Sequence, residues 1–142
     1  MTTKIFTFIA LLLTSNLVFS DGMLLPIIKV VDGDTIETRL NLPEPLNKVY
    51  IRIIGIDTPE SNFLAKCVKE KEMGIAAKEF LKEYLKNEKN MIVKDYKWDK
   101  YGGRIDGIVY IGNVNINELM ITKHYARPYT GQGAKSDWCL IL

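Results

Sequence analysis

One stretch of this chain has a different period from everything around it, and it limits the folds available. In EMGIAAKEFLKEYLKN, residues 72–87, Met73, Ala77, Phe80 and Tyr84 fall at i, i+4, i+7 and i+11 with lysines and glutamates between them, the apolar stripe of an amphipathic helix. Gly74 near its start weakens the helix preference slightly. The flanks read as strands. Before the helix, PIIKVVDGDTIETRL (26–40) is an apolar run, a DGD break and an alternation that puts Ile36, Thr38 and Leu40 on one side, which predicts a hairpin. A Pro-containing loop at 41–47 leads to a third strand, VYIRIIGI, from Val49 to Ile56. After the helix, MIVKDYKW and RIDGIVYI predict two more strands around the turn-rich DKYGG, Asp99 to Gly103. Asn115, with Glu118 three residues on, predicts the N-cap of a short second helix through Ile116, Leu119 and Met120. The tail, ARPYTGQGAKSDWCL, reads as loop. This order predicts a mainly β fold with helices (α+β), an OB-type five-stranded Greek-key barrel with a helix between strands 3 and 4, and such barrels bind oligonucleotides. A β-sandwich needs more strands than the sequence offers.

The chain has 142 residues, 47% hydrophobic and 25% charged, an ordinary balance for one domain with one core. Part of that hydrophobicity lies in MTTKIFTFIALLLTSNLVFS, which has one early positive charge at Lys4, an apolar run from Ile5 to Leu13, then polar Thr14, Ser15 and Asn16. Residues 1–20 read as a secretory signal peptide, with Val18 and Ser20 before a cut at Asp21. The alternative, an uncleaved anchor, suffers from a run interrupted too early to span a bilayer. The expectation is a mature domain at 21–142, exported to the periplasm or secreted, monomeric, with no stable membrane association once the leader is removed. Cleavage removes Lys4 and no acid, taking the net charge from +2 to +1, so net charge says nothing about nucleic acid. Two cysteines in an oxidising compartment are more often bridged than free, which predicts a Cys67–Cys139 disulfide. A zinc site lacks ligands, because only His124 is left to help.

With one histidine, and with no HExxH, GxSxG, GxxxxGK[ST] or GxGxxG motif, any catalysis must run on carboxylates, arginines and a metal ion where one binds. The acids cluster at two strand ends: Asp32 and Asp34 in VVDGDT, Asp57 and Glu60 in IDTPE. Such hard oxygen ligands suit calcium or magnesium. Taken alone, DGDT is a hairpin turn and IDTPE a strand exit with solvated acids. Their co-occurrence says more. If the second and third strands pair, the two acid pairs approach, and like charges that close repel unless a cation sits among them. Arg52 lies inside an isoleucine-rich run, five positions before Asp57, so a regular strand would point the two to opposite faces unless a bend at Gly55 intervenes. For Arg52, and for Arg104 after KYGG, the plain alternative is a solvated surface charge.

VVDGDT, an arginine in the third strand, IDTPE and DKYGGR, in this order and on these predicted elements, resemble the staphylococcal nuclease (thermonuclease) family from about Lys29 to Tyr129. The resemblance implies a calcium-dependent phosphodiesterase that acts on DNA and RNA, cuts between phosphorus and the 5′ oxygen, and leaves 3′-phosphate ends. It implies Asp34 and Asp57 as carboxylate ligands to calcium, Thr58 as a ligand through its backbone carbonyl, and Asp32 beside the ion through water. Glu60 would orient or deprotonate the attacking water, and Arg52 would hold the phosphate and its developing charge. Arg104 would be the second phosphate-binding arginine, with Lys100 and Tyr101 on the neighbouring phosphate. The chemistry is coherent without the family name: phosphodiester hydrolysis needs a neutralising cation, an aligned water and cationic donors, and arginine's fork bonds two phosphate oxygens at once. The chain departs from the pattern by one extra glycine before Arg104, and nothing after the short helix corresponds to the family's long C-terminal helix. Tyr125 and Tyr129 match loosely, with packing as their expected role. The rival reading is a catalytically inactive OB-fold module that binds single-stranded nucleic acid. Glu60 argues against it, since a binding module needs no general base.

Overall fold

The computed structural model describes residues 22–140; the expected leader and its cut at Asp21 lie outside them. Among the described residues the chain forms β1 (Gly22–Pro26), β2 (Lys29–Asp32), β3 (Thr35–Arg39), β4 (Lys48–Ile53), β5 (Ile56–Asp57), α1 (Val68–Leu85), β6 (Asn90–Trp98), β7 (Arg104–Ile111), β8 (Val114–Asn115), α2 (Ile116–Thr122) and β9 (Arg127–Pro128). Ladders run in the order β1-β6-β7-β4-β3-β2, with β8 on β7, and β5 pairs separately with β9. β4 and β7 are parallel. A parallel pair needs a crossover, which α1 and β6 supply.

Among the described residues the fold is mainly β with two helices, consistent with the OB-type expectation, but no ladder there closes it into a barrel. The chain itself joins the two edges, because only Ile27 and Ile28 separate β1 from β2. Ile27 N–H donates to the Lys89 carbonyl beside β6 at 2.9 Å, and Ile28 N–H donates to Glu37 of β3 at 3.0 Å. Successive residues thus serve opposite edges of one sheet.

Alternation along the strands builds the core. Val49, Ile51 and Ile53 of β4 are buried with Ile105, Val109 and Ile111 of β7 and with Ile36, Met91 and Val93, each contributing roughly 1.5–3 kcal/mol by leaving water. The intervening Tyr50 and Arg52 on β4, and Arg104 and Asp106 on β7, point to the other face. An arginine among isoleucines therefore needs no burial in the core.

The helix is present but its inward face differs from the expected one. α1 buries Gly74, Ala77, Leu81 and Leu85, whereas Met73 and Phe80 are half-buried and Tyr84 is exposed. The helix also starts earlier, at Val68, with Cys67 as N-cap. Close approach dictates the phase: a Cβ on Gly74 would fall 2.4 Å from the Glu60 carbonyl carbon, so small residues must face the chain there. Phe80 finds its partner in Tyr125, with ring centroids 4.5 Å apart.

Candidate active site

The third strand ends at Ile53, three residues before its expected end. Gly55 adopts φ +81°, a left-handed value that glycine takes without a Cβ penalty, and the chain restarts as β5. Asn117 of α2 donates to the Ile54 carbonyl, and Tyr129 N–H donates to the Gly55 carbonyl at 3.0 Å, which clamps the turn. The bend that separates Arg52 from Asp57 is thus real, and Asp57 follows it into a position only 1% exposed.

Strand register delivers Asp34 to Arg52. Thr35 stands opposite Arg52 across the β3–β4 ladder, and Asp34 on the preceding turn accepts from Arg52 Nη1 at 2.6 Å. The same carboxylate accepts from Thr35 Oγ1 and from Thr58 Oγ1, each at 2.9 Å. Burial pushes the Asp34 carboxyl above its ordinary range, and the Arg52 guanidinium and the two hydroxyls oppose that rise. An acid so buried requires partners of this kind. Asp32 Oδ1 accepts from Ser61 Oγ at 2.8 Å and from Gly33 N–H at 3.0 Å, tying the hairpin turn to the loop that carries Glu60.

Arg52 and Arg104 line one cleft of about 580 Å³, together with Lys97, Asp106 and Tyr129. Register again explains it: Asp106 stands opposite Arg52 on one side and Lys97 on the other, and Arg104 is two residues before Asp106 on the same face. The extra glycine is absorbed in the turn, where Gly102 and Gly103 take φ +72° and +64°, so Arg104 still opens β7 opposite Tyr50. Asp99 fixes its guanidinium, accepting from Nε at 3.0 Å and from Nη2. Those bonds hold the Asp99 carboxyl below its ordinary range. Lys100 and Tyr101 remain exposed on the turn, with the ammonium 4.9 Å from the ring centroid, and are not among the residues lining the cleft.

Asp57 and Glu60 line a second pocket, about 110 Å³ in volume, with Lys135 and Trp138. The Trp138 indole N–H donates to Asp57 Oδ2 at 3.0 Å. Lys135 Nζ lies 3.5 Å from Asp57 Oδ1 and 3.9 Å from Glu60 Oε1. Burial raises the Glu60 carboxyl above its ordinary range, Lys135 opposes this, and the charges of Asp32 and Asp34 add to it. Asp57 Oδ1 is buried and accepts no hydrogen bond. Among the described residues no three His, Cys, Asp or Glu side chains gather as a metal-binding group; Asp34 faces Arg52, and Asp57 and Glu60 face Lys135.

Sequence reasoning misses Lys135 and Trp138, because the irregular tail carries no hydrophobic period. The clue lay in Cys139. The Cys67–Cys139 bond is present and ties the tail to the start of α1, seven residues after Glu60, so residues just before Cys139 must pass the IDTPE loop. Part of the tail is also a strand, β9, with Arg127 opposite Asp57.

The fold turns Arg52 and Arg104 to one cleft and Asp57 and Glu60 to a second pocket, and it is nuclease-like. The chain belongs to the staphylococcal nuclease family, whose description, Staphylococcal nuclease homologue, it matches over residues 50–138. That span holds Arg52, Asp57, Thr58, Glu60, Lys100, Tyr101 and Arg104, while Asp32 and Asp34 precede it and join the site through the bonds above. The chain is also similar to an uncharacterized protein of Methanocaldococcus jannaschii, 36% identical in an alignment that covers 72% of this chain and 58% of that protein. It thus spans less than two thirds of that relative's length.

Proposed function

We propose that this chain is a calcium-dependent nuclease that hydrolyses phosphodiester bonds of single-stranded or flexible DNA and RNA and leaves 3′-phosphate products. The observation that carries the reading is Arg52: bonded to the buried Asp34, it shares a cleft with Arg104 at the edge of the carboxylate group. The acid set fits a hard cation, since Asp57 Oδ1 is a buried oxygen without a hydrogen-bond donor and carboxylate and carbonyl oxygens are what calcium takes. Asp34, Asp57 and the Thr58 carbonyl would hold the ion, with Asp32 reaching it through water. A bound ion would neutralise phosphate charge and polarise the phosphoryl oxygen.

The chain's own residues supply the rest. Glu60, whose carboxyl burial raises, is the group to align a water and take its proton, since a base works best when its pKa approaches the working pH. Arg52 offers a planar fork to two phosphate oxygens and stays charged throughout. Arg104, held by Asp99 at the far wall, would meet the second phosphate contact and the leaving oxygen. Lys100 and Tyr101, exposed on the glycine turn, would meet the adjoining phosphate. The Cys67–Cys139 bond supports an oxidising compartment, and with residues 1–20 as leader the protein is exported, periplasmic or secreted, and acts as a monomer. No helix among the described residues is long and apolar enough to cross a membrane.

The test incubates the purified chain with single-stranded DNA and with RNA, in calcium and in chelator, and analyses product ends. Calcium-dependent cleavage leaving 3′-phosphates is expected. Binding without cleavage under any divalent metal would replace this reading by the inactive OB-fold binding module.

A further inference from the structure

The pocket beside Asp57 and Glu60 is walled on one side by the tail, through Lys135, Ser136 and Trp138. This stretch is anchored at both ends. Behind it, Cys139 is bonded to Cys67 at the start of α1, and the Trp138 indole, itself 4% exposed, bonds Asp57 Oδ2. Ahead of it, β9 pairs with β5. Between the anchors the Lys135 ammonium reaches both acids, at 3.5 Å from Asp57 Oδ1 and 3.9 Å from Glu60 Oε1. Asp57 Oδ1 has no hydrogen-bond donor of its own, so the charge of Lys135 is what answers it.

We propose that the tail carries the site's own counter-ion: in the ion-free protein Lys135 stands between Asp57 and Glu60, and a hard divalent cation has to displace it to reach Asp57. The inference rests on the cation-dependent reading above and adds a residue to it. Calcium takes oxygen ligands at about 2.3–2.6 Å. An ion on Asp57 Oδ1 and an ammonium 3.5 Å from the same oxygen would confront each other as like charges at close range. Lys135 is free to leave, because its side chain is 46% exposed and ends a flexible four-carbon stem. The arrangement serves the empty site, where acids sharing one field would otherwise repel without compensation. Its consequence is that the tail, and not the carboxylates alone, sets how much calcium the protein needs.

The test is calorimetric titration of calcium into the disulfide-bonded protein and into its Lys135→Met, Lys135→Arg and Lys66→Met variants, each checked for folding by thermal melting. Lys66 lines the same pocket but forms no ion pair among the described residues, so it reports the effect of general charge. Lys135→Met is expected to tighten calcium binding roughly fivefold, the change that a partly exposed ion pair is worth. Lys135→Arg should stay near the parent protein and Lys66→Met should move it less. Unchanged or weaker binding in Lys135→Met, or equal tightening in Lys66→Met, overturns the role of Lys135 and leaves the calcium reading standing. Failure of every form to bind calcium overturns both.

Discussion

At the scale of single residues, Arg52 joins the two halves of the site: its backbone belongs to a core strand, one of its nitrogens is bonded to Asp34, and its side chain opens on the cleft. Charge alone does not describe such a group. Arg52→Lys keeps the charge and loses the fork, so turnover is expected to fall by about two to three orders of magnitude, as when an oriented donor is removed from a transition state, while thermal melting shows a folded protein. A melt that collapses with the activity would count against a role in turnover. Glu60 allows a test of sign. Its folded carboxyl is raised by burial, so the stability it contributes is complete while it is protonated in both states, and is lost as pH climbs through the raised folded value. Glu60→Gln should therefore melt higher than the parent near pH 7 without calcium, the advantage should vanish at acid pH, and the variant should lose turnover. Melting curves at both pH values check this. Arg52 and the four acids could be found from the sequence because their residue types are costly to bury without a purpose. Lys135 could not, because a lysine in a polar tail looks like any solvated lysine until the pocket it reaches is known.

At the scale of elements, Gly74 couples helix to site. α1 lies so close to the Glu60–Ser61 backbone that a methyl group at this position would sit 2.4 Å from the Glu60 carbonyl. Gly74→Ala would ordinarily favour a helix by up to about 1 kcal/mol. Here it must push the Glu60 loop away, with an expected net loss of about 1–3 kcal/mol by the overpacking argument and reduced turnover, measured by urea unfolding and by steady-state kinetics. A stabilised variant with full activity would show that the loop moves aside without consequence. Sequence periodicity identified α1 as an element and placed Ala77 inward, but missed the phase by continuing the stripe through Met73, Phe80 and Tyr84, whereas Gly74, Leu81 and Leu85 are buried beside Ala77. Hydropathy rewards large side chains, whereas a close backbone approach selects small ones. The broken third strand has a similar origin: VYIRIIGI is continuous in pattern, and only Gly55 and its clamps from Asn117 and Tyr129 divide it. The DGD turn, the KYGG turn and the Asn115 cap were legible because turn and cap residues act locally.

At the scale of the whole molecule, an open sheet is joined at its edges by two residues of chain and the tail is joined to α1 by a disulfide spanning 72 positions. A Cys67→Ser, Cys139→Ser double variant is expected to lose about 4 kcal/mol of unfolding free energy in the chain-entropy account of so long a loop, read from the shift in urea midpoint at constant slope. Calcium binding should change as well, because Lys135 and Trp138 lose their tether. The order of β2, β3, β4, α1, β6, β7 and α2 was readable from the sequence, whereas the edge strand β1 and the short β5, β8 and β9 were not; the path of the tail was readable only as a corollary of pairing two cysteines, because non-local contacts leave no local period. The same bond turns residues 67–139 into a covalent ring that contains β6, β7, the Gly102–Gly103 turn between them and Arg104. A protease that nicks the exposed 99–103 turn would open the ring without releasing a fragment, and the nicked protein would remain one molecule until a reductant divided it in two.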